Sequence, residues 1–98
     1  MVLSDLARVV RSKNAGPTLL TVDVLFADDA RFARGRAALT EAAVAARYGR
    51  PLEEVQVVAV PAARAIKVVL PRPVPAGGLG DRDVYGAQQH VPLLGLEV

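Results

Sequence analysis

Residues 18–26 are the most regular stretch of the chain, and they restrict its possible folds more than any other segment. Apolar side chains recur there at every second position, which is the period of a β-strand with one buried face. That face comprises Leu20, Val22, Val24 and Phe26. The opposite face carries Asp23, and an isolated carboxylate is costly to bury. We therefore predict a strand with one face in a core and the other against solvent or another subunit.

Two more valine-rich runs, residues 55–60 and 65–70, predict a pair of strands. Only residues 61–64 separate them, which is short enough for an antiparallel hairpin. The apolar face of the second run consists of Ile66, Val68 and Leu70. This hairpin and the first strand supply three strands of a small sheet.

The segment between the first strand and the hairpin predicts helix. Asp28 or Asp29 is placed to cap a helix that continues to about Arg36. Thr40 is placed to cap a second helical segment over residues 41–48, whose acidic start and basic end suit the helix dipole. The pattern leaves open whether these segments are one kinked helix or two separate helices.

The ends of the chain give shorter signals. Residues 4–10 predict a short amphipathic helix or turn with Ser4 as its N-cap. Residues 11–17 predict a loop, because Asn and Gly tolerate positive φ and Pro17 disfavours helix in the residue before it. Residues 93–98 predict an edge strand.

These elements together predict an α+β fold, a ferredoxin-like two-layer sandwich. Its sheet should have about four mostly antiparallel strands, with helices on one face and the last strand completing the sheet. Residues 1–98 should form a single domain, since a chain of this size buries only one core. Within it, residues 71–92 form an extended tail segment rich in polar residues, proline and glycine.

Composition excludes several functions. The 98 residues carry a formal net charge of +2, without the basic stripe that nucleic acid binding requires. Cysteine is absent and histidine occurs once, so no metal site and no cofactor are expected. No apolar run approaches the roughly twenty residues of a membrane span, so we expect no membrane contact and a cytoplasmic protein.

Residues 80–90 gather most of the polar variety of the chain, including its one histidine. His90 and Tyr85 are the candidates for proton transfer, because imidazole and phenol can exchange protons with a bound group. The candidates for ligand binding in the same stretch are Arg82, Asp83, Gln88 and Gln89. No Ser–His–Asp or Gly-x-Ser-x-Gly pattern accompanies them, so a self-contained hydrolase is not indicated.

A second group of candidate ligand-binding residues precedes the first strand and comprises Arg11, Ser12, Lys13 and Asn14. Two cations, a hydroxyl and an amide could hold a carboxylate or phosphate, or they could form a solvated turn. The spacing of a P-loop is absent. Arg64 and Lys67 in the hairpin are further candidates, and their alternative is simple solvation, since strand lysines often protect sheet edges.

Five stretches are similar to the signature segments of a bacterial family with no assigned function: residues 3–7, 11–17, 63–67, 70–75 and 80–90. The resemblance implies a gene neighbourhood with a large protein of the acyclic terpene utilisation (AtuA) type and with carboxylate or acyl-CoA catabolism. Residues 11–16 also resemble the Arg-Ser-Gly-Asp-Lys-Gly loop of an AtuA-like ferredoxin-fold small domain. They depart from it at Lys13, Asn14 and Ala15, so the family's lysine position is not filled here.

The resemblance implies a small subunit of a two-component enzyme, with an AtuA-type large subunit and a carboxylate or acyl-CoA substrate. The chemistry expected is of a lyase or hydratase type. Arg11, Lys13 and Arg82 would bind anionic oxygen while His90 or Tyr85 transfers a proton. Two alternatives stay open: a non-catalytic module for homo- or hetero-oligomer assembly, and a standalone small-molecule binding protein.

Overall fold

Four antiparallel strands form the sheet in the computed structural model, which describes residues 1–72, 77 and 90–98. The strands are β1 (Val9–Asn14), β2 (Leu19–Leu25), β3 (Gln56–Val60) and β4 (Ala65–Pro71). Their spatial order is β1-β2-β4-β3, with every neighbouring pair antiparallel. Strands β2 and β3 are therefore parallel to each other, with β4 between them.

The helices are α1 (Leu3–Leu6), α2 (Asp29–Ala38), α3 (Glu41–Tyr48) and α4 (Val91–Leu94). Two short 3₁₀ turns span Leu52–Glu54 and Pro61–Ala63. Helices α2 and α3 connect β2 to β3, which runs parallel to β2 on the other side of β4. The middle of the chain is therefore a split β-α-β unit. The predicted α+β fold is thus confirmed, and it is consistent with a ferredoxin-like sandwich. In the described part of the chain, no helix is long and apolar enough to cross a membrane.

The two faces of the sheet differ as the alternation of residues 18–26 predicts. Leu20, Val22 and Val24 are completely buried on the face that the helices cover, which we call the inner face. Apolar residues of all four helices join them in one hydrophobic cluster, including Leu3, Phe32, Val44 and Leu93. The opposite face, which we call the open face, carries the partly exposed Asp23 and the exposed Leu19.

Helices α2 and α3 are two separate helices, each with a side-chain cap at its start. Asp28 accepts a hydrogen bond from the Arg31 amide at 2.8 Å, and Thr40 accepts one from the Ala43 amide at 3.1 Å. The predicted Thr40 cap is confirmed, and of the two candidates for the first helix, Asp28 is the cap and Asp29 is the first helical residue. Leu39 has left the helical conformation between the two helices, which divides the segment.

Residues 11–14 were expected in a loop, and this expectation is wrong because they belong to β1. The strand lacks an apolar alternation of its own, but its backbone pairs along its whole length with β2, from Val9 opposite Leu25 to Asn14 opposite Leu20. Long-range pairing has overridden the weak local signal. The fourth strand of the sheet is therefore near the start of the chain.

Both other predictions for the chain ends need correction. Residues 93–98 do not form an edge strand: Pro92 stands in the first turn of α4, a position that proline favours because its missing amide is not needed there. Only an isolated bridge between Val2 and Glu97 follows. The first helix begins after Val2, with no side-chain cap, so Ser4 is inside the helix and is not its N-cap.

Candidate functional site

Four polar side chains lie at one end of the inner face, and we call them the inner-face cluster. They are Ser12, Asn14, Arg72 and His90. Ser12 and Asn14 are two residues apart on β1, so both side chains project from the same face of the sheet, about 7 Å apart. Cross-strand pairing of Ser12 with the buried Val22 shows that this is the inner face.

Arg72 places a guanidinium inside the protein. It follows β4 at the position where the alternation of Val68 and Leu70 continues, and its side chain is only 6% exposed. Its Nη1 donates a hydrogen bond to Asn14 Oδ1 at 2.7 Å. Its backbone amide donates to the Thr18 carbonyl at 2.9 Å, which extends the β2–β4 pairing by one step. The cluster therefore contains a buried positive charge that the sheet holds in a fixed place.

His90 reaches the cluster from the other end of the chain. It directly precedes α4, and its Nδ1 lies 3.5 Å from Ser12 Oγ, a long hydrogen bond at best. Helix α4 is attached to α3 because Arg47 Nε donates to the Pro92 carbonyl at 2.8 Å. Ser12 and Arg72 are buried, whereas His90 and Asn14 are half-buried, so a bound group can reach His90 and Asn14 more easily than the other two.

Strand alternation separates the other predicted residues of β1 from this cluster. Arg11 and Lys13 project from the open face, where Arg11 Nε lies 3.8 Å from Asp23 Oδ2. Lys67 is the cross-strand neighbour of Asp23 on β4 and belongs to the same face. The structure thus brings Ser12 to His90 and Asn14 to Arg72, and it places the three cations on the opposite surface.

Arg64 lies at the other end of the sheet, in the turn before β4. Its φ of 49° is in the left-handed region, and its backbone carbonyl accepts from the Phe26 amide at 2.9 Å. Its Nε donates to Asp29 Oδ1 at 2.8 Å, and this hydrogen bond raises the pKa of Arg64 above its usual value. These contacts attach the hairpin to the start of α2, which gives Arg64 a structural role.

The remaining predicted site residues lie outside the described part of the chain. They are Arg82, Asp83, Tyr85, Gln88 and Gln89. Among residues 1–72, 77 and 90–98, no group of three or more histidine, cysteine, aspartate or glutamate side chains could hold a metal ion.

The residue that sequence reasoning missed is Arg72. The signal was present, because continuing the alternation of Ile66, Val68 and Leu70 by two residues places Arg72 on the buried face. Proline on either side of it led to its assignment to an extended tail. For Ser12 the signal was hidden, since its orientation depends on β1 being a strand.

The fold and the cluster together define a small α+β protein with a buried cation and a half-buried imidazole on the same face of its sheet. The chain belongs to the family described as domain of unknown function (DUF4387), whose model matches residues 3–97. Comparison with curated proteins and comparison with solved structures found no match.

Proposed function

We propose that this chain is the small subunit of a two-component catabolic enzyme acting on an organic acid or its acyl-CoA thioester. The large subunit would be an AtuA-type protein, as the resemblance of the signature segments implies. The observation that carries the proposal is the inner-face cluster, in which Arg72 supplies a buried positive charge and His90 a reachable imidazole. A carboxylate or thioester oxygen is the kind of group that this pair would attract.

Arg72 contributes mainly through electrostatics. A charge at a fixed, poorly hydrated position acts more strongly on a nearby anion than the same charge in water does. Asn14 orients the guanidinium through its Oδ1, so the charge is already positioned before a substrate binds. The expected result is a preference for substrates that bring negative charge to this end of the sheet.

His90 is the group that would move a proton. Addition or elimination of water next to a carboxylate needs one group to accept a proton and one to donate it, and the imidazole can do either. Ser12 Oγ lies 3.5 Å from Nδ1, so Nε2 is the ring nitrogen that we expect to exchange a proton with a substrate. The large subunit would supply the second acid–base group and most of the substrate pocket.

A two-stage experiment tests this function. The tagged full-length chain is isolated from its native host, and the co-purifying large protein is then assayed on carboxylates and acyl-CoA thioesters with and without this chain. We expect activity to need both proteins, and His90→Gln to lower kcat at least tenfold while the complex still forms. Arg36→Gln, at an exposed position of α2 outside both the inner-face cluster and the sheet, is the control and should leave kcat unchanged.

Two results would contradict the proposal. One is a chain that is recovered without any large protein, and the other is a complex whose activity is the same with His90→Gln as with the unchanged chain. Arg72→Lys distinguishes the role of charge from that of shape: if the cluster attracts an anion by charge alone, this variant should retain most of the affinity (measured as KM) that Arg72→Met loses.

A further inference from the structure

The open face consists of straight rows of side chains that cross all four strands. The strand register places Val9, Leu25, Ala65 and Val60 in one row. The next row on the same face consists of Arg11, Asp23, Lys67 and Val58. One row is therefore entirely apolar, and its neighbour has alternating charges over the three strands β1, β2 and β4.

Most of the exposed large apolar side chains of the described residues lie on this face. Six large apolar side chains are exposed in residues 1–72, 77 and 90–98, and four of them project from the open face. These four are Val9 at 38%, Leu19 at 41%, Val58 at 39% and Val60 at 41%. Exposed apolar side chains collected on one surface with polar groups between them are typical of a protein interface.

The charges are arranged so that the face is complementary to itself. The centre of the sheet lies between β2 and β4, which carry Asp23 and Lys67 at the same height. A two-fold axis parallel to the strands, passing above that centre, places β2 of one copy over β4 of the other. Asp23 then faces Lys67 of the second copy, and the reciprocal pair forms by symmetry.

The same operation matches the apolar row with itself. Because heights along the strands are retained, Leu25 faces Ala65 of the second copy, and Val9 faces Val60 at the edges. Packed sheets lie about 10 Å apart and are rotated by roughly 30°. Pairs close to the axis, such as Asp23 with Lys67, are displaced least by that rotation.

A two-fold axis at right angles to the strands does not have this property. Passing above the charged row, it would place Asp23 over Asp23 and Lys67 over Lys67, and like charges facing each other oppose association.

We infer that the open face is a homodimer interface, in which a second copy of this chain packs face to face with its strands related by an axis parallel to them. The inference does not depend on the proposed function, which uses the inner-face cluster.

Charge exchange between two variants tests the pairing directly. Asp23→Lys makes every charged side chain of the row basic. Lys67→Asp makes both central positions of the row, on β2 and β4, acidic. Each variant alone should therefore lose the dimer, whereas an equimolar mixture should regain it, because each acidic position then faces a basic one. Contacts within one chain cannot explain recovery on mixing, since each chain still carries its own like charges.

Sedimentation velocity of the full chain over a dilution series gives the readout. At the upper concentrations we expect the unchanged chain to sediment as a dimer, with twice the chain mass of 10.3 kDa. Each single variant should sediment as a monomer, and the mixture of the two variants as a dimer. Glu53→Lys and Arg36→Asp, exposed positions outside the sheet, change the net charge equally and should leave the dimer intact.

Cross-linking provides a second test if a charge variant fails to fold. The chain contains no cysteine, so Val9→Cys and Val60→Cys, on the two edge strands, each introduce a single thiol. A short bis-maleimide should join the two variants to each other much more efficiently than it joins either one to itself. Three results would each overturn the inference. The first is an unchanged chain that is monomeric at every concentration, and the second is a dimer that neither charge variant weakens. The third is a mixture of folded variants that stays monomeric.

Discussion

The seven residues of β2 alternate between the inner and the open face, and the two sets differ in burial. On the inner face, Leu20, Val22 and Val24 are completely buried, while on the open face Leu19 is 41% exposed and Asp23 and Leu25 are half-buried, with only the small Thr21 buried. The inner face is apolar except at its end, where the inner-face cluster begins. The comparison indicates that the apolar residues of one face determine the fold, and that the open face is under less constraint from folding and is available for binding.

The strongest test of this comparison uses two leucines that are adjacent in sequence and lie on opposite faces. Leu20→Ala removes a completely buried side chain and should lower the free energy of unfolding by about 2–5 kcal/mol. Leu19→Ala should change it by about 0.5 kcal/mol or less, as exposed positions do. Urea denaturation at low protein concentration measures both. Equal losses would show that the open face is part of a folding core after all.

The second test concerns the polar end of the inner face. The hydrogen bond between Arg72 and Asn14 has a charged donor that is 6% exposed, so it should contribute more than a surface contact. A double-mutant cycle with Arg72→Met and Asn14→Ala should give a coupling energy of about 2 kcal/mol. The pair Arg11 and Asp23 on the open face, 3.8 Å apart, is the control and should give about 0.5 kcal/mol.

The third test concerns how tightly the helical layer covers the inner face. A methyl group at Gly35 would overlap the Phe26 ring, so α2 approaches the sheet closely at this glycine. Gly35→Ala should improve helix propensity by about 1 kcal/mol and yet lower the net stability by about 1 kcal/mol, because overpacking costs about 1–3 kcal/mol. Thermal denaturation measures the net effect. In the Phe26→Leu background the same substitution should cost less, and an equal cost there would exclude the ring as the cause.

The smallest effect is expected at the exposed start of α2. The Arg31 amide and guanidinium hold the pKa of Asp28 below its ordinary value of 3.8. Because the folded pKa is lower than the unfolded one, the carboxylate stabilises the fold above pH 3.8, and this contribution is lost as the pH falls through the folded pKa. The stability difference between the unchanged chain and Asp28→Asn should therefore be constant near neutral pH and shrink in acid. A difference that does not depend on pH would show that folding leaves the pKa of Asp28 unchanged, which would contradict this prediction.

The sequence predicted those elements whose signals are local. Strand β2 and the hairpin of β3 and β4 follow from alternation, and α2 and α3 follow from Asp28 and Thr40 as caps. Strand β1 was missed because Ser12 and its neighbours show no apolar period, and only pairing with β2 makes them a strand. The terminal residues were misassigned because the apolar run after His90 fits a short helix as well as a strand.

For the candidate site, the sequence identified residue types better than positions. His90, Ser12 and Asn14 were candidates, and the structure brings them to one end of the inner face. Arg11 and Lys13 were placed with them because adjacent residues in a loop share one neighbourhood, whereas adjacent residues in a strand point to opposite faces. Placing them correctly required knowing that β1 is a strand.

Helix α4 packs against helix α1. The first residue of α1, Leu3, is one of the most deeply buried residues. Its amide donates to the Leu96 carbonyl at 2.7 Å, and the Val98 amide donates to the Met1 carbonyl at 3.0 Å. Helix α1 also contacts α2, so Leu3 is partly covered before α4 packs on it and reaches its full burial only afterwards. The sheet and its two main helices are complete by β4, whereas α1 meets α4 only through a contact of high sequence separation, the kind of contact that forms late in folding.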